Sequence, residues 1–210
     1  MEDHKQESPS SGPVVNRKCL VTTGATAPFP ELICAALQSG NLRWLAENGY
    51  THVNFQVGTS MQYYTDLREQ MTTTEGLKLC AFAFHPDLKD DMRDCLDGEG
   101  QVRGCCISAA GSGTILDALR VDLPLIVVPN LSLLDNHQQE LANEMHRQGY
   151  VTKSTTNGLA KALRRCHEIS ANRTIEYRKR IAEYQAAFTK RVNNVVGYID
   201  DSYDVNAREG

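Results

Sequence analysis

The chain has 210 residues, 41% hydrophobic and 23% charged, with a formal net charge of −4. Those numbers describe a soluble globular domain able to bury a sizeable core, and the acidic balance argues against a binder of nucleic-acid backbones, which carries a basic surplus. The longest apolar run, 123–129, is far short of the roughly 20 residues that a membrane-spanning helix takes.

The first residues, MEDHKQESPSSGP, are polar and show no secretory leader. Residues 1–17 are expected to be a disordered tail and the chain to be cytoplasmic. Short apolar runs then alternate with helical patterns. Strands are expected at 18–22, 52–57, 79–84, 104–108 and 125–128, with a short one at 150–152. Helices are expected at 30–38, 42–47, 61–71, 87–95, 112–120, 136–148 and 156–167. Strands alternating with helices imply βαβ units, hence an α/β fold: a Rossmann-like parallel sheet with helices on both faces, over 18–170. Gly98-Glu99-Gly100 reads as a plain loop, and no internal repeat is present.

Beyond Asn172 the pattern changes. Ile181, Tyr184, Phe188, Val192, Val195 and Ile199 recur at steps of three and four, one stripe of a C-terminal helix within 171–199. Two readings of it stand: a helix packed on its own domain, or one that docks on a partner. Between 161 and 191 there are nine Lys/Arg against three Glu. That surplus is either a solvated face or one turned toward anionic lipid. Residues 200–210 are acidic and expected to be disordered.

Seven cysteines make an odd count without CxxC spacing. Most lie inside apolar runs, as buried reduced thiols do, so neither a zinc site nor a disulfide framework is expected. The sequons at Asn130 and Asn172 carry no weight in a cytosolic protein.

Most of the chemistry lies in 107–142. After the strand at 104–108, Gly111-Ser112-Gly113-Thr114 opens a helix. A helix start offers N–H groups without intrahelical partners and a partial positive charge, so it binds phosphate without a metal. Gly111 and Gly113 let a ligand approach the backbone, while Ser112 and Thr114 add hydroxyls. The alternative is a helix start that Ser or Thr merely caps. Asp117 lies one turn in. It can reach ribose hydroxyls beside a bound diphosphate, or it is only an exposed acid near the dipole.

The strand at 125–128 leads to Asp135-Asn136-His137-Gln138-Gln139-Glu140. Asp135 suits a helix cap with Gln138 at the capping-box position. Asn136, His137 and Gln139 remain crowded at the same strand end, where amides supply donors and acceptors for sugar hydroxyls and an N-acetyl group. His137 is either an acid–base or a structural histidine bonded to backbone. Thr22-Thr23-Gly24-Ala25-Thr26 and Gln56-Val57-Gly58-Thr59 add small-residue loops at the same sheet edge. There is no GxxxxGK[ST], no GxSxG and no Asp-x-Asp, so Walker NTPase and acyl chemistry are excluded and no metal cofactor is called for. A nicotinamide dehydrogenase is poorly supported, because the first strand has no GxGxxG.

With VTTGATAPFPELI, FQVG, GSGTILDALRVDLPLIVVPN and LLDNHQQELA followed by QGYV, the chain resembles the glycosyltransferase family 28-like GT-B enzymes over about 18–153. In particular it resembles the cytosolic catalytic subunit of the two-subunit transferase that adds the second N-acetylglucosamine to dolichol-diphosphate-GlcNAc. More distantly it is similar to the C-terminal half of the bacterial transferase that makes lipid II. The resemblance implies the donor-binding half of a GT-B fold. It also implies UDP-GlcNAc as donor, no cofactor, and a membrane-anchored partner that supplies the acceptor site at the cytosolic face of the endoplasmic reticulum. It places Ser112, Gly113 and Thr114 at the diphosphate and Asp117 at the ribose. Asn136, Gln138 and Gln139 fall around the donor sugar, and the Gly24–Thr26 loop toward the acceptor. The family's Ser-His-Ala-Gly reads Ser108-Ala109-Ala110-Gly111 here, so Ala109 stands where a histidine is expected. That departure keeps open a non-catalytic UDP-sugar-binding or regulatory subunit.

Overall fold

The computed structural model describes residues 16–24, 27–133 and 137–172. The expected helix over 171–199 lies outside them apart from 171 and 172, as do both tails save Asn16 and Arg17. The chain divides into two compact units, 1–167 and 168–210. Of the second, only 168–172 are described, and they are helical.

In the first unit the strands are β1 (Arg17–Thr22), β2 (Tyr50–Gln56), β3 (Lys78–Phe82), β4 (Cys105–Ala109), β5 (Leu125–Val128) and β6 (Thr152–Lys153). The helices are α1 (Pro30–Ala36), α2 (Ser39–Glu47), α3 (Met61–Gln70), α4 (Lys89–Arg93), α5 (Ser112–Arg120) and α6 (His137–Arg147), and residues 159–167 form α7. One sheet of order β3-β2-β1-β4-β5-β6 results, with every pairing parallel.

The middle strands alternate between two cores, as the period of two requires. Cys19 and Val21, Ile107 and Ala109, and Ile126 and Val128 face the α1, α2 and α7 side. Leu20, Cys106, Leu125 and Val127 face α5 and α6. All five residues of β4 and all four of β5 are buried, the mark of a parallel sheet covered on both faces. Each fully buried side chain of Leu or Ile size contributes about 1.5–3 kcal/mol.

Expected and observed elements differ mainly at their ends. β1 begins at Arg17, inside the segment expected to be tail, because Asn16 bridges to Gln101 and Arg17 bonds the Asn48 carbonyl at 3.0 Å. The helix expected from 87 shrinks to five residues. The one expected from 156 opens with a 3-10 turn, Thr156–Gly158, that Thr155 caps by accepting from the Gly158 N–H. Gly98–Gln101 is a tight turn closed by reciprocal 3.1 Å backbone bonds. Five cysteines are buried, but Cys34 is half-buried and Cys80 is exposed on the edge strand β3, against the expectation of burial. Among the described residues no helix is long and apolar enough to cross a membrane.

Candidate functional site

In open parallel sheets ligands settle where neighbouring strands send the chain to opposite sides. Here that switch point lies between β1 and β4. A crevice of about 970 Å³ opens there, at the upper end of the range for ligand sites. It is lined by Thr23, Gly24 and Ala27 after β1, 109–114 after β4, Asn130, Ser132 and Leu133 after β5, and His137, Gln138 and Leu141 of α6.

The wall after β1 is fixed from beneath. Thr22 and Gln56 are register partners on β1 and β2, and both are buried. The Thr22 hydroxyl donates to the Gln56 side-chain carbonyl and accepts from the Gly24 N–H at 3.1 Å. The chain turns at Gly24 with φ +82°, and a Cβ on neighbouring Gly58 (φ +54°) would lie 3.7 Å from the Gly24 carbonyl. The glycines of both loops therefore serve left-handed turns.

The wall after β4 is main chain. Gly111 is the N-cap of α5 and, lacking a side chain, leaves the helix start uncapped. The first intrahelical bond runs from the Ile115 N–H to the Gly111 carbonyl at 3.1 Å. The N–H groups of Ser112, Gly113 and Thr114 precede it, so they have no acceptor within the helix. A Cβ built on Gly111 or Gly113 meets nothing within 4 Å. An anion can therefore come up to this end of the helix dipole without a side chain in its way.

The third wall is organised by Asn130, which is 5% exposed. Its Nδ2 donates to the Pro28 carbonyl at 3.2 Å, and its Oδ1 accepts from the Ser132 N–H and hydroxyl at 3.0 and 2.7 Å. Its own N–H donates to Gln138 Oε1 at 3.0 Å. Gln138 thus gives its side-chain oxygen to the loop after β5. The cap partner, Asp135, lies outside the described residues.

Seven expected site residues therefore meet in one crevice: Gly24, Gly111, Ser112, Gly113, Thr114, His137 and Gln138. His137 is well exposed, its Nδ1 4.0 Å from Glu140 Oε2, and among the described residues it makes no bond to backbone. Gln139, one helical step round, lines instead a smaller cavity of about 250 Å³ with Phe29, Leu131, Lys153 and Thr155; Asn130 and Ser132 border both spaces. Asp117 lines neither, and pairs with Arg120 at 3.0 Å. Thr26 and Asn136 lie outside the described residues. The sequence reading missed Asn130, Ser132 and the Thr22–Gln56 pair. A carboxamide directly after Pro129 at a buried strand's end, and a glutamine closing the apolar run of β2, were the available signals.

A six-stranded parallel sheet of this order, with a glycine-opened helix at its switch point, defines a doubly wound α/β domain. Residues 18–192 match the glycosyltransferase family 28 C-terminal domain, and the chain belongs to that family. It is 31% identical over 182 residues to the UDP-N-acetylglucosamine transferase subunit ALG13 of Saccharomyces cerevisiae, covering 72% of this chain and 85% of that one. The mouse protein of the same name is 31% identical over 144 residues, 69% of this chain but only 11% of that protein. The NMR solution structure of ALG13 shares the fold at a TM-score of 0.52 and 30% identity, covering 73% of this chain and 86% of that one. The crystal structure of Acinetobacter baumannii MurG shares it at 0.50 and 14% identity, over 79% of this chain and 43% of that one. The resemblance read from the sequence motifs and these relatives agree.

Proposed function

We propose that the chain is the catalytic subunit of a two-subunit inverting transferase that moves N-acetylglucosamine from UDP-GlcNAc to GlcNAc-diphosphodolichol and forms the β1,4-linked chitobiosyl lipid. The observation that carries this is the uncapped, glycine-opened start of α5 inside a crevice at the switch point. The donor diphosphate stands on the N–H groups and hydroxyls of Ser112, Gly113 and Thr114, and the same dipoles stabilise the departing UDP. Asp117 takes the ribose by exchanging Arg120 for it, since an exposed pair of that kind is worth only about 0–1 kcal/mol. Asn136, His137 and Gln138 surround the sugar, Gln139 borders the adjoining cavity that shares Asn130 and Ser132 with the crevice, and the Gly24–Thr26 loop faces the acceptor. A membrane-anchored subunit supplies the acceptor-binding half at the cytosolic face of the endoplasmic reticulum, and the segment 171–199 docks on it.

Ala109 favours a second reading. It lines the crevice at the end of β4, where the family resemblance calls for histidine. A chain that holds UDP-GlcNAc for another catalyst, or as a regulatory subunit, would have that residue. The test is transfer of N-acetylglucosamine to a lipid-diphosphate-GlcNAc acceptor by the chain co-expressed with its membrane subunit, with each subunit alone as control. Turnover that requires both chains supports the catalytic reading. Binding of UDP-GlcNAc without turnover sinks it in favour of the second, and turnover regained in Ala109→His assigns the cause.

A further inference from the structure

We propose that Asn130 is a positioning residue that sets the donor-sugar end of the crevice, so that the chain's preference for UDP-GlcNAc over UDP depends on it; this rests on the reading of the crevice as a UDP-GlcNAc site. Two walls of the crevice stand on separate loops, 23–28 after β1 and 129–133 after β5. Among the described residues, the bond from Asn130 Nδ2 to the Pro28 carbonyl (3.2 Å) is the hydrogen bond that joins them. The same carboxamide folds the second loop back on itself through both Ser132 donors. The Asn130 N–H then holds the side chain of Gln138, on the first turn of α6. One buried residue thus ties three chain segments that surround the sugar end.

The diphosphate end is built differently. Ser112, Gly113 and Thr114 are held by α5 and by the pairing of β4 with β1 and β5, and among the described residues no hydrogen bond links them to Asn130. Removing the Asn130 side chain therefore disturbs the contacts that a sugar makes and leaves those that a diphosphate makes. Burial also closes a different role. Although Asn130-Leu131-Ser132 is a glycosylation sequon, its amide nitrogen is buried and already bonded.

Titration calorimetry of the full 210-residue chain with UDP and with UDP-GlcNAc tests this. The expected wild type binds UDP-GlcNAc more tightly than UDP. In Asn130→Ala the UDP-GlcNAc affinity falls about tenfold, the scale of one or two lost neutral hydrogen bonds, while UDP affinity stays within about threefold. Asn130→Asp keeps both bonds from Ser132 but replaces the donor to Pro28 by an oxygen that repels that carbonyl, so its preference for the sugar nucleotide falls likewise. A general structural role lowers the melting temperature and both affinities together, with their ratio unchanged; that result in either variant overturns the positioning role alone. A wild type that binds neither nucleotide, or both equally, overturns the reading of the crevice and the role of Asn130 with it.

Discussion

Replacing Gly113 by alanine should stabilise the free protein while weakening its grip on the donor. The two signs follow from separate observations. A Cβ at this position meets nothing within 4 Å, so the methyl causes no clash. Glycine in a helix costs roughly 0.5–1 kcal/mol against alanine. Gly113 lies in the first turn of α5, where the lower figure applies. At roughly 2–4 °C per kcal/mol for a chain of this size, the melting temperature rises by about 1–2 °C. The open space that makes the change harmless is also where the diphosphate has to stand. Loss of one charge-assisted bond costs about 1.5–3 kcal/mol, tenfold or more in Kd. With UDP-GlcNAc at about a hundred times the wild-type Kd, binding stabilises the wild type by about 2.7 kcal/mol and a tenfold weaker variant by about 1.4 kcal/mol. A thermal-shift titration should then show about 5–11 °C for wild type and about 3–6 °C for the variant. A lower melting temperature without ligand would mean that the space is not open. An undiminished ligand shift would mean that the diphosphate does not lie on α5, and either result refutes the reasoning.

Gly104→Ala should fail in the opposite way, by stability alone: its Cβ would stand 1.8 Å from the Lys18 carbonyl, so β1 and β4 must part, and chemical denaturation should show a loss of several kcal/mol or no folded protein. Asp117→Ala should lower UDP-GlcNAc affinity about tenfold with little change in melting temperature, because its exposed pair with Arg120 contributes about 0–1 kcal/mol; unchanged affinity by calorimetry would remove Asp117 from the ribose. Thiol titration of the native chain should find Cys80 reacting first and Cys34 next, with Cys19, Cys95, Cys105, Cys106 and Cys166 reacting only on unfolding; prompt labelling of more than two thiols would contradict the burial. Burial pushes the Cys95 thiol up to about 12 from its ordinary 9.0. The unfolded thiol therefore sheds its proton from about pH 9 while the folded one keeps it, so this group's contribution is intact at neutral pH and is lost as pH rises from 9 toward 12. Cys95→Ala should accordingly show a shallower fall in denaturation midpoint over that range.

The fold was legible because β4, α5 and β5 carry their signals locally. Leu125–Val128 is an unbroken apolar run, and Ser112–Arg120 opens on glycines and closes before Val121; both elements have the expected bounds. The glycine-opened start of α5 was legible for the same reason, since a helix start is a local event. The wall after β5 was not, because Asn130 organises it through contacts distant in sequence. Asn130 reaches Pro28 across 102 positions and Gln138 across eight, and nothing in the order of residues announces either. Gln139 was grouped with its neighbours by adjacency, yet successive helical residues point about 100° apart, and it faces the smaller cavity.

This division between main chain and side chain also bears on Ala109. The wall after β4 consists of N–H groups and glycines, and the wall after β1 is fixed by Thr22 and Gln56. Neither uses the side chain at 109, where β4 pairs Ala109 with Val128 through backbone. The donor site proposed above is thus architecturally independent of the missing histidine, and affinity for UDP-GlcNAc is expected on both the catalytic and the non-catalytic readings. Only turnover distinguishes them. Ala109→His should leave donor Kd within a fewfold, because neither wall uses this side chain, while raising the transfer rate if a ring at this point is what the chemistry lacks. A rate unchanged in the variant and already well above background in the wild type would mean that the general base comes from elsewhere, with His137 and the partner subunit as the groups to substitute next.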